Sequence, residues 1–292
     1  MRIGAFHIND PLPELHKPHA FAVLRPWINV GHAGSLTIDF LKSEFNAQPL
    51  GWLAKPGNFI DFTRYRPMTT IINNKRTLTL PNTFIDYAKL PDHNDLVFFN
   101  ILEPHMFGEV YVESILRVIR TFGIERYCLI GSMYDSVPHT KPLIITGTAN
   151  GKLGEILQDL GVQSSNYEGP TTIANLISQK APDYNIETVT LLVHVPQYAQ
   201  MDEDHAAQLR LLEVVCSLYK FSTDLDKLKQ KVKQQHERIN QAIENEPRLK
   251  FTIKHLEKLY ESQAGDTIRD MPRLSPEIEK FLNDINKKFN SD

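Results

Sequence analysis

A histidine and a lysine stand close together in the segment "DSVPHTKP", residues 135–142, where two prolines bracket them. Proline fixes its own backbone angle and restricts the residue before it, so His139 and Lys141 are expected in a rigid loop. Histidine titrates near neutral pH and could act as a general acid or base, while lysine could hold an anion. Acid–base chemistry by His139 would need a carboxylate partner, for which Glu103 and Asp135 are the candidates.

Two further loops carry polar residues directly after apolar segments. Glu103 follows the run "LVFFNIL" and could be a general base or bind a ribose hydroxyl, or it could be a favourable residue at a helix entry. The turn "NVGHAGS" contains Gly31, His32 and Gly34, and exposed amides at a helix start can bind an anion. Because it matches neither the phosphate-loop nor the dinucleotide pattern, a tight strand-to-helix turn is the favoured interpretation.

The loop "NYEGPTT" places Tyr167 and Glu168 ahead of a predicted helix. Tyr167 could stack on the ring of a ligand, or close the core beneath the loop. The histidines do not cluster and no HExxH or CxxC pattern occurs, so neither a metal site nor a cofactor is predicted. Cys128 and Cys216 lie in apolar runs, which favours buried thiols over nucleophiles.

The composition of the chain limits its class. Hydrophobic residues make up 41% and charged residues 23% of the 292 residues, enough apolar material for a sizeable core. The net charge of −3 offers no strong field for nucleic acid. No apolar run reaches about 18 residues and no secretory signal is recognisable, so no membrane association is predicted and the expected location is the cytoplasm.

Strand signals alternate with amphipathic helix signals over the first three-quarters of the chain. This alternation predicts an α/β fold, a mostly parallel sheet flanked by helices, with the polar loops at the carboxyl ends of its strands. A β-hairpin is predicted over 69–81, with its turn at "NNK". Predicted strands cover 20–30, 49–54, 95–104, 126–133, 142–149 and 187–196, and predicted helices cover 33–45, 108–123, 151–161, 171–181 and 205–220.

The character of the sequence changes near residue 222. Apolar residues then recur at three- and four-residue spacing, with Gln235 in one apolar position and Pro247 as an interruption, which predicts a helical hairpin or bent helices. A last short helix is predicted from Pro276. The prediction is an α/β domain over 1–221 and a helical extension over 222–292. The apolar stripe of the extension is expected to pack on its own domain, with a partner helix as the alternative.

Five motifs occur in a specific order along the chain: "WINVGHAGS", "ILEPHM", "YDSVPHTKPLIITGTA", "YEGPTTI" and "VHVPQYA". In these motifs and their order the sequence resembles the prokaryotic branch of the proteasome assembly chaperone two family, over residues 15–262. The resemblance implies a fold similar to the purine nucleoside phosphorylase and hydrolase class. It also implies that the chain forms a homo-oligomer, for example a trimer. The implied function is that of a non-enzymatic assembly chaperone or scaffold with a protein partner.

The sequence departs from the family pattern at two places. Lys141 stands where the family usually has arginine, and lysine cannot bind an anion in the same bidentate way. The C-terminus "KKFNSD" lacks the hydrophobic–tyrosine–any-residue motif by which some archaeal relatives engage the proteasome.

The alternative function is a protein that binds a nucleoside-like ligand, or a phosphorylase- or hydrolase-type enzyme with His139 and Glu103 as catalytic candidates. Its ligand-binding candidates are Gly31, His32, Gly34, Glu103, His139, Lys141, Tyr167 and Glu168.

Overall fold

The computed structural model describes residues 1–149, 151–244 and 246–263. In these ranges the chain forms a ten-stranded sheet, a separate two-stranded hairpin and seven α-helices. The strands are β1 (Arg2–Ile3), β2 (Phe6–Ile8), β3 (His19–Arg25), β4 (Gln48–Leu53), β5 (Met68–Ile72), β6 (Lys75–Thr79), β7 (Phe84–Ala88), β8 (Leu96–Leu102), β9 (Arg126–Asp135), β10 (Ile145–Ala149), β11 (Gln163–Ser164) and β12 (Glu187–Pro196). The helices are α1 (Ala33–Glu44), α2 (Gly108–Thr121), α3 (Lys152–Asp159), α4 (Ile173–Lys180), α5 (His205–Tyr219), α6 (Asp226–Glu244) and α7 (Pro247–Gln263).

The large sheet is mixed, so the prediction of a mostly parallel sheet was wrong. Strands β8, β3, β9 and β12 are parallel and form its centre. On one side β7, β4, β2 and β1 follow, each antiparallel to its neighbour, and on the other side β10 is antiparallel to β12. The physical reason is clearest at residues 136–144, where β9 leads to β10 without the crossover helix that a parallel return needs.

The individual elements agree with the sequence predictions to within a few residues, apart from the first predicted strand. That strand ends at Arg25 rather than at residue 30, since Pro26 has no N–H to donate to a neighbouring strand. The short strands β1, β2, β7 and β11 were not predicted. The helix predicted from Pro276 lies outside the described residues.

Helices cover both faces of the sheet, as expected for an α/β fold. On one face α2 and α4 pack over the sheet, and the predicted apolar side of α2 is buried there. On the other face α1, α3 and α5 do the same. Within the described ranges, no helix combines the length and the apolar character that crossing a bilayer requires.

The helical hairpin of α6 and α7 packs on this same chain. Its apolar stripe surrounds Tyr198, which follows β12 and is 2% exposed. The stripe therefore covers the region next to the carboxyl ends of β9 and β12. Its buried members are Ile239, Ile243, Leu249, Ile253 and Leu256.

His19, at the start of β3, makes stability depend on pH. Burial, and next the positive charge of Arg126, lowers the pKa of His19 from 6.5 to about 4. The unfolded chain therefore binds this proton at a higher pH than the folded chain does. The stabilisation is complete above pH 6.5 and is lost as the pH falls toward 4.

As the pH falls from 6.5 to about 4, we expect proton binding by this one residue in the unfolded chain to lower the free energy of unfolding by roughly 2–3 kcal/mol. One unit of pKa difference corresponds to about 1.4 kcal/mol. Urea unfolding at a series of pH values measures the effect. The His19→Gln variant should lose this contribution to the pH dependence of the free energy of unfolding. His7→Gln, which changes an exposed histidine, should keep it. Equal slopes for the wild type and His19→Gln would contradict the prediction.

Candidate functional site

The loop that follows β9 lies beneath the helical hairpin of α6 and α7, and its histidine is 5% exposed. Nδ1 of His139 is 2.7 Å from the Tyr198 hydroxyl, and Nε2 is 3.1 Å from the side-chain oxygen of Asn240 on α6. The same hydroxyl accepts a hydrogen bond from the backbone N–H of His139. Burial lowers the pKa of His139. Both ring nitrogens of this neutral histidine are therefore engaged within the chain.

The next residues of this loop are held by α7. Nζ of Lys141 is 2.7 Å from the carboxylate of Glu261, and this hydrogen-bonded partner raises the pKa of Lys141. The hydroxyl of Thr140 donates to Glu257. The carboxylate of Glu261 thus occupies the position at Lys141 where an anionic ligand would be expected.

The turn between β3 and α1 is closely packed. Gly31 has a φ of 54°, and a Cβ at this position would lie 2.6 Å from Cβ of Asp204. A Cβ on Gly34 would lie 2.9 Å from a methyl group of β3, and Asn29 accepts a hydrogen bond from a first-turn amide of α1. His32 is exposed. Packing and backbone conformation account for both glycines, in agreement with the favoured interpretation of a tight turn.

Asp204 and Gln235 together cap the start of α5. One oxygen of Asp204 accepts hydrogen bonds from the backbone N–H of Ala207 and from the side-chain amide of Gln235, both at 2.9 Å. The side-chain oxygen of Gln235 in turn accepts from the backbone N–H groups of His205 and Ala206. The first three backbone N–H groups of α5, which have no carbonyl acceptor within the helix, thus each donate a hydrogen bond to one of these two side chains. This role explains a glutamine at an apolar position of α6.

Glu103 lies directly after β8, at the edge of the sheet where the parallel strands have their carboxyl ends. Its Oε1 is 3.4 Å from the backbone N–H of Ile173 at the start of α4. Its Oε2 and the nearby Thr172 hydroxyl are buried and have no hydrogen-bond partner among the described residues. Burial raises the pKa of the Glu103 carboxyl. Glu103 is therefore placed as a helix-entry residue that keeps one free oxygen.

Tyr167 and Glu168 lie in the exposed loop that leads to α4. Tyr167 is 64% exposed, and its hydroxyl donates to the Pro170 carbonyl at 3.0 Å. The structure thus joins His139 and Lys141 beneath α6 and α7, and links the turn at Gly31 to α6 through Asp204 and Gln235. Glu103, by contrast, belongs with the start of α4.

A second polar group lies on the sheet itself, across β9, β12 and β10. Oδ2 of Asp135 is 2.6 Å from Nδ1 of His194, and Nε2 of His194 is 2.9 Å from the hydroxyl of Thr146. The side chains of His194 and Asp135 are 11% and 18% exposed. Asp135, one of the two carboxylates considered as partners for His139, therefore pairs with another histidine. No group of three His, Cys, Asp or Glu side chains suited to a metal ion occurs in the described ranges.

Sequence reasoning did not single out several of these residues, among them Thr146, His194, Tyr198 and Asn240. Their contacts join positions far apart in sequence, such as His139 and Asn240, which are separated by 101 positions. One indication was available, because the histidine in "VHVP" interrupts an otherwise apolar strand. The partners of that histidine follow only from the strand order.

Comparison with protein-family models matches residues 23–243 to the PAC2 family, well over half of the chain. The chain belongs to the PAC2 family. This confirms the resemblance that the five motifs indicated. A search of curated proteins found no match.

Solved structures share the fold of this chain. A protein of unknown function from Corynebacterium glutamicum is 20% identical with a TM-score of 0.80, over 89% of this chain and 97% of that chain. A proteasome-assembly chaperone homologue from Mycobacterium tuberculosis is 22% identical with a TM-score of 0.72, over 80% and 99%. PbaB of Pyrococcus furiosus, an archaeal proteasome activator, is 16% identical with a TM-score of 0.63, over 81% and 97%. At these identities the likeness establishes the α/β fold alone.

Proposed function

We propose that this PAC2 protein is a non-enzymatic, assembly chaperone-like scaffold, which works in the cytoplasm as a homo-oligomer and binds a protein partner. The family membership supports this, as do structural neighbours described as a proteasome-assembly chaperone homologue and a proteasome activator. The observation that carries the proposal is the exposed apolar hairpin of β5 and β6.

Every residue of β5 and β6 is exposed, and the two strands pair only with each other. Asn73 and Asn74 both have positive φ and form the tight turn between them. An isolated two-stranded hairpin is only marginally stable in water, and its unpaired edges attract other chains. Its main apolar side chains, Met68, Ile71, Ile72 and Leu78, are 58–71% exposed. Such an arm gains stability when it packs on another molecule.

A second copy of the chain offers a surface for this arm. Met106, Phe107 and Val110, at the start of α2, are 44–64% exposed. An arm and a receiving surface at different places on one chain make a head-to-tail contact, which forms a ring such as a trimer when the rotation between copies closes. A specific interface buries at least about 1,000 Å² in total, and the arm with its receiving surface would have to reach that area.

The alternative, a nucleoside-like ligand site related to the phosphorylase and hydrolase class, is favoured by one observation. Glu103 and Thr172 keep buried polar atoms without partners among the described residues. Against it, the side chains of His139 and Lys141 are engaged by α6 and α7. This alternative predicts phosphorolysis or hydrolysis of a nucleoside that His139→Ala or Glu103→Ala abolishes.

Sedimentation velocity over a range of protein concentrations tests the proposed function. We expect one discrete oligomer that dissociates on dilution. When nucleosides and phosphate are added, the mass of the oligomer should not change and the nucleosides should not be turned over. A monomer at all concentrations would contradict the scaffold. Nucleoside turnover lost in both variants would favour the alternative.

A further inference from the structure

The hydrogen-bonded row from Asp135 through His194 to Thr146 has the order of groups that activates a hydroxyl. Because the Asp135 carboxylate can only accept, Nδ1 of His194 carries the proton of the neutral ring. Nε2 is then left with a lone pair, 2.9 Å from the Thr146 oxygen. The same carboxylate–imidazole–hydroxyl order makes a nucleophile in serine hydrolases of unrelated folds and chain orders.

Regular structure holds this row in place. The second oxygen of Asp135 accepts a hydrogen bond from the backbone N–H of Ser136, and the backbone N–H of His194 donates to the Ile144 carbonyl. His194 lies in β12 and Thr146 in the adjacent β10, so strand pairing fixes their separation. Thr146 is partly exposed, whereas His194 is 8% exposed. Asp135 is partly exposed as well, so Thr146 is one of the two partly exposed ends of the row.

Gln163 lies level with Thr146 on the next strand, β11. It is paired with Thr146 in the parallel register of β11 and β10, so both side chains lie on one face of the sheet. Its side-chain oxygen is buried without a partner among the described residues. A half-turn of the amide would replace that oxygen with an N–H donor, and amide donors beside a nucleophile stabilise an oxyanion.

We propose that Thr146 is an activated nucleophile that accepts an acyl group from an ester or thioester. His194 is its general base, Asp135 is a positioning residue for His194, and the Gln163 amide is the oxyanion donor. This activity goes beyond the proposed scaffold function and, if present, replaces only its non-enzymatic part. It uses no residue of the β5–β6 hairpin, so variants of the hairpin test the scaffold and variants of Thr146 test the acyl transfer separately.

The reaction needs only the acyl donor and water. The Thr146 oxygen bonds to the acyl carbon as its proton passes to Nε2 of His194. The bond from the acyl carbon to the leaving oxygen or sulfur breaks, and His194 returns the proton to that atom. Water then attacks the acyl-threonine by the same proton route, which releases the carboxylic acid and restores the hydroxyl.

The test treats the full chain with p-nitrophenyl acetate, follows nitrophenol release and locates acetyl groups by peptide mass spectrometry. We expect acetylation at Thr146 in the wild type and in Thr146→Ser, and none at position 146 in Thr146→Val. Thr148→Val is the matched control, since Thr148 is an exposed threonine of the same strand, and it should react like the wild type. His194→Gln should slow acetylation at Thr146 about 100-fold or more, the usual contribution of a general base.

Two results would overturn the proposal: a wild-type chain without acetyl on Thr146, or equal acetylation rates at Thr146 in the wild type and His194→Gln. Circular dichroism identifies a variant that fails to fold. Should Thr146→Val be such a variant, Thr146→Ser and His194→Gln still decide the outcome.

Discussion

Replacing Gln235 by leucine is expected to lower the free energy of unfolding by about 2–4 kcal/mol, because buried hydrogen-bonding groups lose their partner. The leucine leaves the backbone N–H groups of His205 and Ala206 without an acceptor, and removes a donor from the buried Asp204 carboxylate. The apolar pattern of α6 alone would predict the opposite effect, an increase in the free energy of unfolding, since a leucine at this position would complete the apolar stripe.

The measurement is equilibrium unfolding by urea, with Gln234→Leu as the matched control. Gln234 is the preceding residue of the same helix and is exposed, so its replacement should change stability by less than about 0.5 kcal/mol. A Gln235→Leu protein as stable as the wild type would show that the cap on α5 contributes nothing.

Replacing Ile71 and Leu78 together by threonine is expected to weaken self-association about 100-fold or more. The register of β5 and β6 places both side chains on one face of the hairpin. Threonine keeps the strand preference, so the hairpin itself should persist. Losing the burial of both side chains costs roughly 3 kcal/mol per contact, which corresponds to a factor of about 100 in the dissociation constant.

Sedimentation velocity measures this effect by the concentration at which the oligomer dissociates. Phe251→Thr is the control, because Phe251 is 76% exposed on α7 and lies outside the hairpin. It should leave the dissociation constant unchanged. A hairpin variant that associates like the wild type would exclude β5 and β6 from the interface.

Periodicity was enough to predict most elements of the fold but not the pairing of the strands. The helix at 108–123 and the strand at 187–196 bury complete apolar patterns, so their positions were predicted closely. Strand direction depends on the connections instead. The link at 136–144 is too short for a crossover helix, and this length, which periodicity does not take into account, was the sign that β10 runs antiparallel to β9 and β12. β1 and β11 have two residues each, too few to show a period.

The candidate site shows the same limit. The sequence placed His139 and Lys141 in a fixed loop, yet their partners Asn240 and Glu261 come from helices more than 100 residues away. Gln235 was noticed only as a polar residue in an apolar row, and its role depends on the position of the start of α5. Such contacts follow from tertiary packing, which local pattern does not encode.

Native mass spectrometry of the chain, gently purified from its own host, tests the scaffold function most directly. We expect a homo-oligomer that carries other protein subunits in a fixed ratio, and the loss of that oligomer in the Ile71→Thr/Leu78→Thr variant. A monomer that retains a nucleotide-sized mass and no protein would contradict it, and would favour the ligand site at Glu103 instead.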